Sequence, residues 1–260
     1  MSTLPTTEAG PETRAAAAVQ IAVVVGGTYA LVGLVQWLGL GMGGGPARSL
    51  LAHVVVIGCG ALVLVGLALS RTPRPLHALG LGPRRPLVVI AGGLAGACAT
   101  YAVNALAVAV YLAVSGGLKN EVAAADQKAK ALAVFVEVPL WQILPLALFV
   151  GFYEEVVFRG FLLGRLHVLF GSERARLRTS VAAVALSSVL FALGHAYQGA
   201  LGLVQTFVAG ASLATLVLLT RSLWPAIVAH AAIDAFGLVA VRMLVPVAQK
   251  AIDQLQNAPH

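Results

Sequence analysis

A few ionisable residues stand inside apolar sequence, and their types and spacing could do chemistry. GFYEEVVFRGF (151–161) carries Glu154, Glu155 and Arg159 in the middle of a strongly apolar run. Neighbouring residues on a helix point about 100° apart, so Glu154 and Glu155 cannot share a direction. Glu155 and Arg159 are spaced i, i+4 on one face, which predicts an ion pair that reduces the cost of burying either charge. Glu154 is then free to face a cavity. FALGHAYQG (191–199) puts His195 where an apolar segment meets glycine, and WPAIVAHAAIDAFG (224–237) puts His230 and Asp234 i, i+4 on one helical face. Taken singly, each has a structural explanation: a packing charge cluster, a hydrogen-bonded histidine, a His–Asp bond. Together, an acid, two imidazoles and a second polar group from three segments are the inventory for activating water and stabilising an oxyanion. Two histidines with carboxylates are also the inventory of a zinc site, whose ligands would be Glu154, His195 and His230.

The setting is a membrane. Of 260 residues, 59% are hydrophobic and only 10% charged, against about 25% charged in soluble domains. The formal charge of +7 sits in short loops between apolar runs, the pattern of membrane topology. No aromatic-basic pattern that would read nucleic acid is present. Cys59 and Cys98 form no CxxC and read as small buried hydrophobes. The first fourteen residues lack the basic start of a signal peptide, so the first apolar run is expected to stay as an anchor.

Spans need roughly 20 apolar residues. The candidates are 15–40, 50–69, 87–114, 139–169, 179–196, 200–219 and 224–245. GMGGGP (41–46) reads as a flexible turn, and Gly92-x-x-x-Gly96 as a place where a neighbouring backbone approaches closely. Residues 115–138 mix six charges with alanine and valine and read as an interfacial amphipathic helix with room for a half-span. The fold expected is an all-α polytopic transmembrane bundle of about seven to eight spans. Residues 1–138 form the N-terminal part, 139–245 the site-bearing core and 246–260 a polar tail. Basic loops 70–86 and 170–178 fall on one side, which puts them and the N-terminus in the cytoplasm of a plasma-membrane protein. His53 and Asn104 are further polar positions on spans two and three. One tension remains: counted from the same side, His195 lies about 10 Å deeper than His230. Tilt, a shorter fifth span or a helix extension beyond the bilayer has to remove it.

The order and spacing of Glu154-Glu155-Val-Val-Phe-Arg159, Phe191-Ala-Leu-Gly-His195 and His230-Ala-Ala-Ile-Asp234 resemble the CPBP family. These are CAAX-processing and bacteriocin-processing (Abi) intramembrane proteases, and include type II CAAX prenyl endopeptidases. The resemblance covers about residues 139–240. It implies an endopeptidase acting on a membrane-associated peptide or protein, CAAX-type prenylated or bacteriocin-like. Glu154 matches the residue that activates water, with His195 assisting. His230 and Asp234 match the oxyanion pair, and Glu155, Arg159 and Phe191 match supporting positions. The family's last motif often ends in asparagine, which can donate a hydrogen bond; an ionised Asp234 only accepts, so this carboxyl is expected to be protonated, to orient His230 and fix its tautomer, or to ligate a metal. The preferred route is metal-independent, with a zinc-dependent protease as the alternative. A transporter and a non-catalytic scaffold or immunity protein are readings from other classes; neither should depend on Glu154 as a base.

Overall fold

The computed structural model describes residues 11–38, 46–115, 135–171 and 176–256. Among these, every regular element is a helix. α1 runs as Pro11–Ile21, a π-helical stretch Ala22–Gly26 and Gly27–Trp37. α2 is Pro46–Ala68 and α3 is Pro86–Val114. α4 is Leu140–Glu155, continued by π-helical Val156–Leu162 and by Leu163–Phe170. α5 is Arg176–Leu193. A single 3₁₀ turn, Ala196–Gln198, leads into α6, Gly199–Thr220, and α7 is Trp224–Gln256. Proline opens α2 and α3, where its missing N–H costs nothing.

Among the described residues, five helical stretches are long and apolar enough to cross a membrane: Thr13–Trp37, Leu51–Ala68, Pro86–Val114, Ala196–Thr220 and Trp224–Val247. The other two expected spans are α4, which carries the charge cluster, and α5, whose apolar part is the shorter Leu177–Leu193. Large apolar side chains such as Leu67, Leu106, Trp141, Leu219 and Met243 are exposed on the outside of the bundle, as a chain whose solvent is lipid requires. Thr28, Thr100, Ser188, Thr206 and Thr220 each return a hydroxyl hydrogen bond to the carbonyl four residues back, so no polar group is left to hydrocarbon there.

α4 is the centre. It packs against α1, α2, α5 and α7, while α3 backs α6 and α7. The core gathers round Val157, Phe161, Leu162, Leu163 and Leu166. One end of the bundle is tied by long-range hydrogen bonds. Arg14 donates to Gly171 O at 2.7 Å, Arg84 to Arg221 O at 3.0 Å, and Trp224 Nε1 to Gly82 O at 3.1 Å. Leu223 N donates to Gly80 O at 3.0 Å. Gly80 has φ 78°, and a Cβ there would lie 3.2 Å from Leu223 N, so glycine is required. A Cβ on Gly160 would come within 3.2 Å of Leu79 and Leu223, which sets that turn level with Gly160. The last ten residues of α4 therefore project about 15 Å past the α6–α7 turn, with the start of α5 packed alongside.

Several expectations change. α7 continues to Gln256, so most of the supposed polar tail is helix. α5 ends at Leu193, before His195. The tight backbone approach on α3 uses Gly93 and Gly96. A Cβ at Gly93 would lie 2.5 Å from Val228, one at Gly96 2.5 Å from Leu216, and one at Gly92 only in ordinary contact with Pro225. Cys59 and Cys98 are free but exposed, facing outward instead of being buried. The 41–46 turn, all but the edges of the 115–138 segment and the centre of the second basic loop lie outside the described residues. The far edge of 115–138 is held by Arg242, which donates to Val136 O at 2.8 Å and Val138 O at 2.7 Å.

Candidate active site

Three helices bring the polar residues together. α4 supplies Glu154, Glu155 and Arg159, the end of α5 supplies Phe191 and the turn beyond it His195, and α7 supplies His230 and Asp234. Glu155 is fully buried and Arg159 nearly so. Arg159 Nη1 donates to Glu155 Oε1 at 2.7 Å, the pair that the i, i+4 spacing predicts. The same oxygen lies 2.8 Å from His230 Nδ1. An oxygen already held by a guanidinium acts as a carboxylate acceptor, so His230 donates through Nδ1–H.

The opposite ring nitrogen, His230 Nε2, faces Glu154 Oε2 at 3.7 Å and Asp234 Oδ2 at 3.6 Å. Both are too long for a hydrogen bond. One imidazole thus spans the two directions in which adjacent glutamates must point. Asp234 was one candidate for fixing the tautomer of His230; the structure gives that place to Glu155 and puts Asp234 at Nε2, because i, i+4 stacking on α7 brings it to the ring's outer edge. Glu154 Oε1 accepts from Tyr153 OH at 3.0 Å, while Oε2 is buried without a partner. The Asp234 side chain is 29% exposed and that of Glu154 12%, so the cluster opens on the Asp234 side.

Phe191 is the hub of the other wall. Arg159 lies over its ring at 4.1 Å, a cation–π contact. The His195 ring centroid is 4.8 Å away and that of His230 is 5.9 Å away, edge-on. His195 Nδ1 is 3.0 Å from Phe191 O; a carbonyl only accepts, so Nδ1 carries the proton and Nε2 is the lone-pair nitrogen of the neutral ring. Asp234 lies within electrostatic reach of both histidines. The expected depth difference is gone, because Ser187 donates to Phe158 O at 3.1 Å and the start of α5 lies beyond the α6–α7 turn.

Gly151 sets the spacing of α4 and α7. A Cβ there would stand 3.1 Å from Ala231 N and 3.4 Å from His230 Cβ, so a larger residue would push His230 away from the glutamates. Sequence reasoning missed Gly151 and Tyr153, although a hydroxyl next to a buried acid is a visible signal. It also missed Tyr29, which donates to Leu190 O and lies within reach of Glu154; nothing in its local sequence marks it. His53 and Asn104 sit on α2 and α3, and Asn104 Oδ1 is buried without a partner.

Among the described residues, no group of three or more His, Cys, Asp or Glu side chains converges as a metal shell. His230 spends one nitrogen on Glu155, and the described contacts of His195 are with Phe191 and Tyr197. Of the supposed ligands Glu154, His195 and His230, it is His230 Nε2, 3.7 Å from Glu154 Oε2, that a zinc ion would take, with Nδ1 oriented by Glu155.

Residues 136–236 match the family model described as "Type II CAAX prenyl endopeptidase Rce1-like". The matched stretch contains Glu154, Glu155, Arg159, Phe191, His195, His230 and Asp234. No curated protein and no solved structure matches the chain.

Proposed function

We propose that this member of the CPBP (CAAX protease) family, to which the match at residues 136–236 assigns the chain, hydrolyses a peptide bond with a water activated by Glu154. In general terms the chain is a multi-pass, membrane-embedded CAAX-type protease; residue roles, substrate and mechanism are our reading. The observation that carries it is Glu154 itself. One oxygen is anchored by Tyr153, and the other is left for a water between it, His230 Nε2 and Asp234. A base must stand within hydrogen-bond reach of the proton it takes, directly or through one water.

The scissile carbonyl enters from the open Asp234 side. Glu154 takes the proton as the water attacks carbon, and the C–N bond breaks when that proton is passed on to the leaving amine. His195, whose Nε2 carries the lone pair, exchanges protons with the water or the leaving nitrogen. His230 stabilises the oxyanion from Nε2; since its Nδ1–H is given to Glu155, it does this as an imidazolium. Glu155 and Arg159 hold that ring in place. Asp234 lines the entry and helps retain the imidazolium. The route needs no metal.

The substrate class is a membrane-associated peptide or protein, CAAX-type prenylated or bacteriocin-like. Residues 139–245 are taken as the catalytic core, 1–138 as its scaffold. The end that gathers Arg14, Arg84 and Arg221 is placed in the cytoplasm of the plasma membrane.

The test is proteolysis of a peptide library, with and without a prenylated cysteine, by purified protein in liposomes. Cleavage that survives chelation and is lost in Glu154→Gln supports the reading. Loss on chelation with rescue by zinc would replace it with the metal-dependent route. Binding without cleavage, unchanged in Glu154→Gln, would make the protein a scaffold.

A further inference from the structure

A second site stands at the arginine-rich end. A cavity of about 430 Å³ lies between the start of α3 and the α6–α7 turn, with Arg84, Arg85, Gly92, Thr220, Ser222 and Pro225 in its wall. Among the described residues, no acidic one lines it. It is on the α3 side of α7, where Pro225 faces Gly92; His230 is on the α4 side, against Gly151. It is therefore separate from the candidate active site.

Three independent features point to an anion. Ser222 is only 2% exposed, yet its Oγ has no hydrogen-bond partner. A buried hydroxyl without a partner destabilises the fold, and this one borders the cavity. Arg84 and Arg85 bring two guanidinium groups, whose planar fork suits phosphate oxygens; one nitrogen of Arg84 is used on Arg221 O. Two long helices begin at the cavity, α3 at Pro86 and α7 at Trp224, so the positive ends of both dipoles reach it. The flank is apolar: Leu87, Val88 and Ile90 on the first turns of α3 are exposed. A charged cup beside a lipid-facing apolar strip suits a molecule with a phosphate head and hydrocarbon tails.

We propose that this cavity binds the phosphate of an anionic phospholipid, with Arg84 and Arg85 supplying charge, Ser222 Oγ–H a buried donor, and Leu87, Val88 and Ile90 the bed for an acyl chain. Inorganic phosphate shares the head chemistry, and the experiment separates the two. Purified protein in detergent is titrated with phosphatidylglycerol, with phosphatidylcholine and with sodium phosphate, and read by native mass spectrometry and by the melting temperature. Wild type should retain phosphatidylglycerol at least tenfold better than phosphatidylcholine, with sodium phosphate neither shifting the melting temperature nor displacing the lipid at millimolar concentration. The double change Arg84→Gln with Arg85→Gln should reduce retention about tenfold or more, at roughly a few-fold per charge. Ser222→Ala should reduce it several-fold while leaving the lipid-free protein as stable or more so, because the orphan hydroxyl is gone. Arg71→Gln with Arg74→Gln removes the same charge from the same end and should leave retention unchanged. Equal retention of the two lipids would overturn the proposal, as would an equal loss in the Arg71/Arg74 control, which would indicate a diffuse field. Displacement by sodium phosphate would assign the cavity to a free anion instead.

Discussion

At the residue scale, the proposed chemistry rests on two adjacent glutamates with different surroundings. Each keeps one oxygen without a partner, but Glu155 is sealed between Arg159 and His230 at 0% exposure, whereas Glu154 is 12% exposed and within reach of water. Glu154→Gln preserves shape and removes basicity; kcat should fall by about 10²–10⁴-fold or more with the fold intact, measured on the peptide found in the library. Tyr153→Phe removes one hydrogen bond to that base. Its cost should be about tenfold or less in kcat, with KM little changed. Asp234→Asn replaces an acceptor with a group that can also donate. Activity should stay within about threefold of wild type; a loss comparable to that of Glu154→Gln would show that the carboxylate itself is needed. The ion pair and the three motif positions were legible in the sequence, because spacing on a helix decides which side chains can meet. Which nitrogen of His230 meets which acid was not legible, since it depends on the rotation of α7 against α4.

At the scale of elements, α4 and α7 are held close by the missing side chain at Gly151. Gly151→Val should separate them, move His230 away from Glu155 and abolish activity while the helices remain, which circular dichroism and an activity assay together would show. Arg159 lies inside the π-helical stretch Val156–Leu162, stacked on Phe191 and bonded to Glu155. Arg159→Ala leaves a buried carboxylate without its cation and should cost about 3–5 kcal/mol, read as loss of folded yield in detergent together with loss of activity. Apolar runs located the seven long described helices to within a few residues, apart from the far end of α7, while the short helix Pro75–Ala78 fell in a segment read as a loop. The sequence past Leu244 turns polar, and a helix can persist through polar residues once its apolar part is anchored. The end of α5 and the projection of α4 were not legible, because both depend on where the α6–α7 turn docks against Gly160.

At the scale of the whole molecule, the proposed orientation puts the arginine-rich end in the cytoplasm. A single cysteine introduced by Arg84→Cys, in a background where Cys59 and Cys98 are replaced, should react with an impermeant thiol reagent in inverted vesicles and not in right-side-out ones. The reverse pattern would invert the topology. The position of α4 at the centre of the bundle bears on how the protein is made. Glu154, Glu155 and Arg159 would each oppose entry of an isolated helix into lipid by about 2.5–3.5 kcal/mol, and the partners that neutralise them include His230, synthesised some seventy residues later. α4 therefore has to wait at the insertion machinery, or sit shallowly, until α7 emerges. A nascent chain halted after residue 171 should leave α4 extractable or accessible to modification, and one halted after α7 should not.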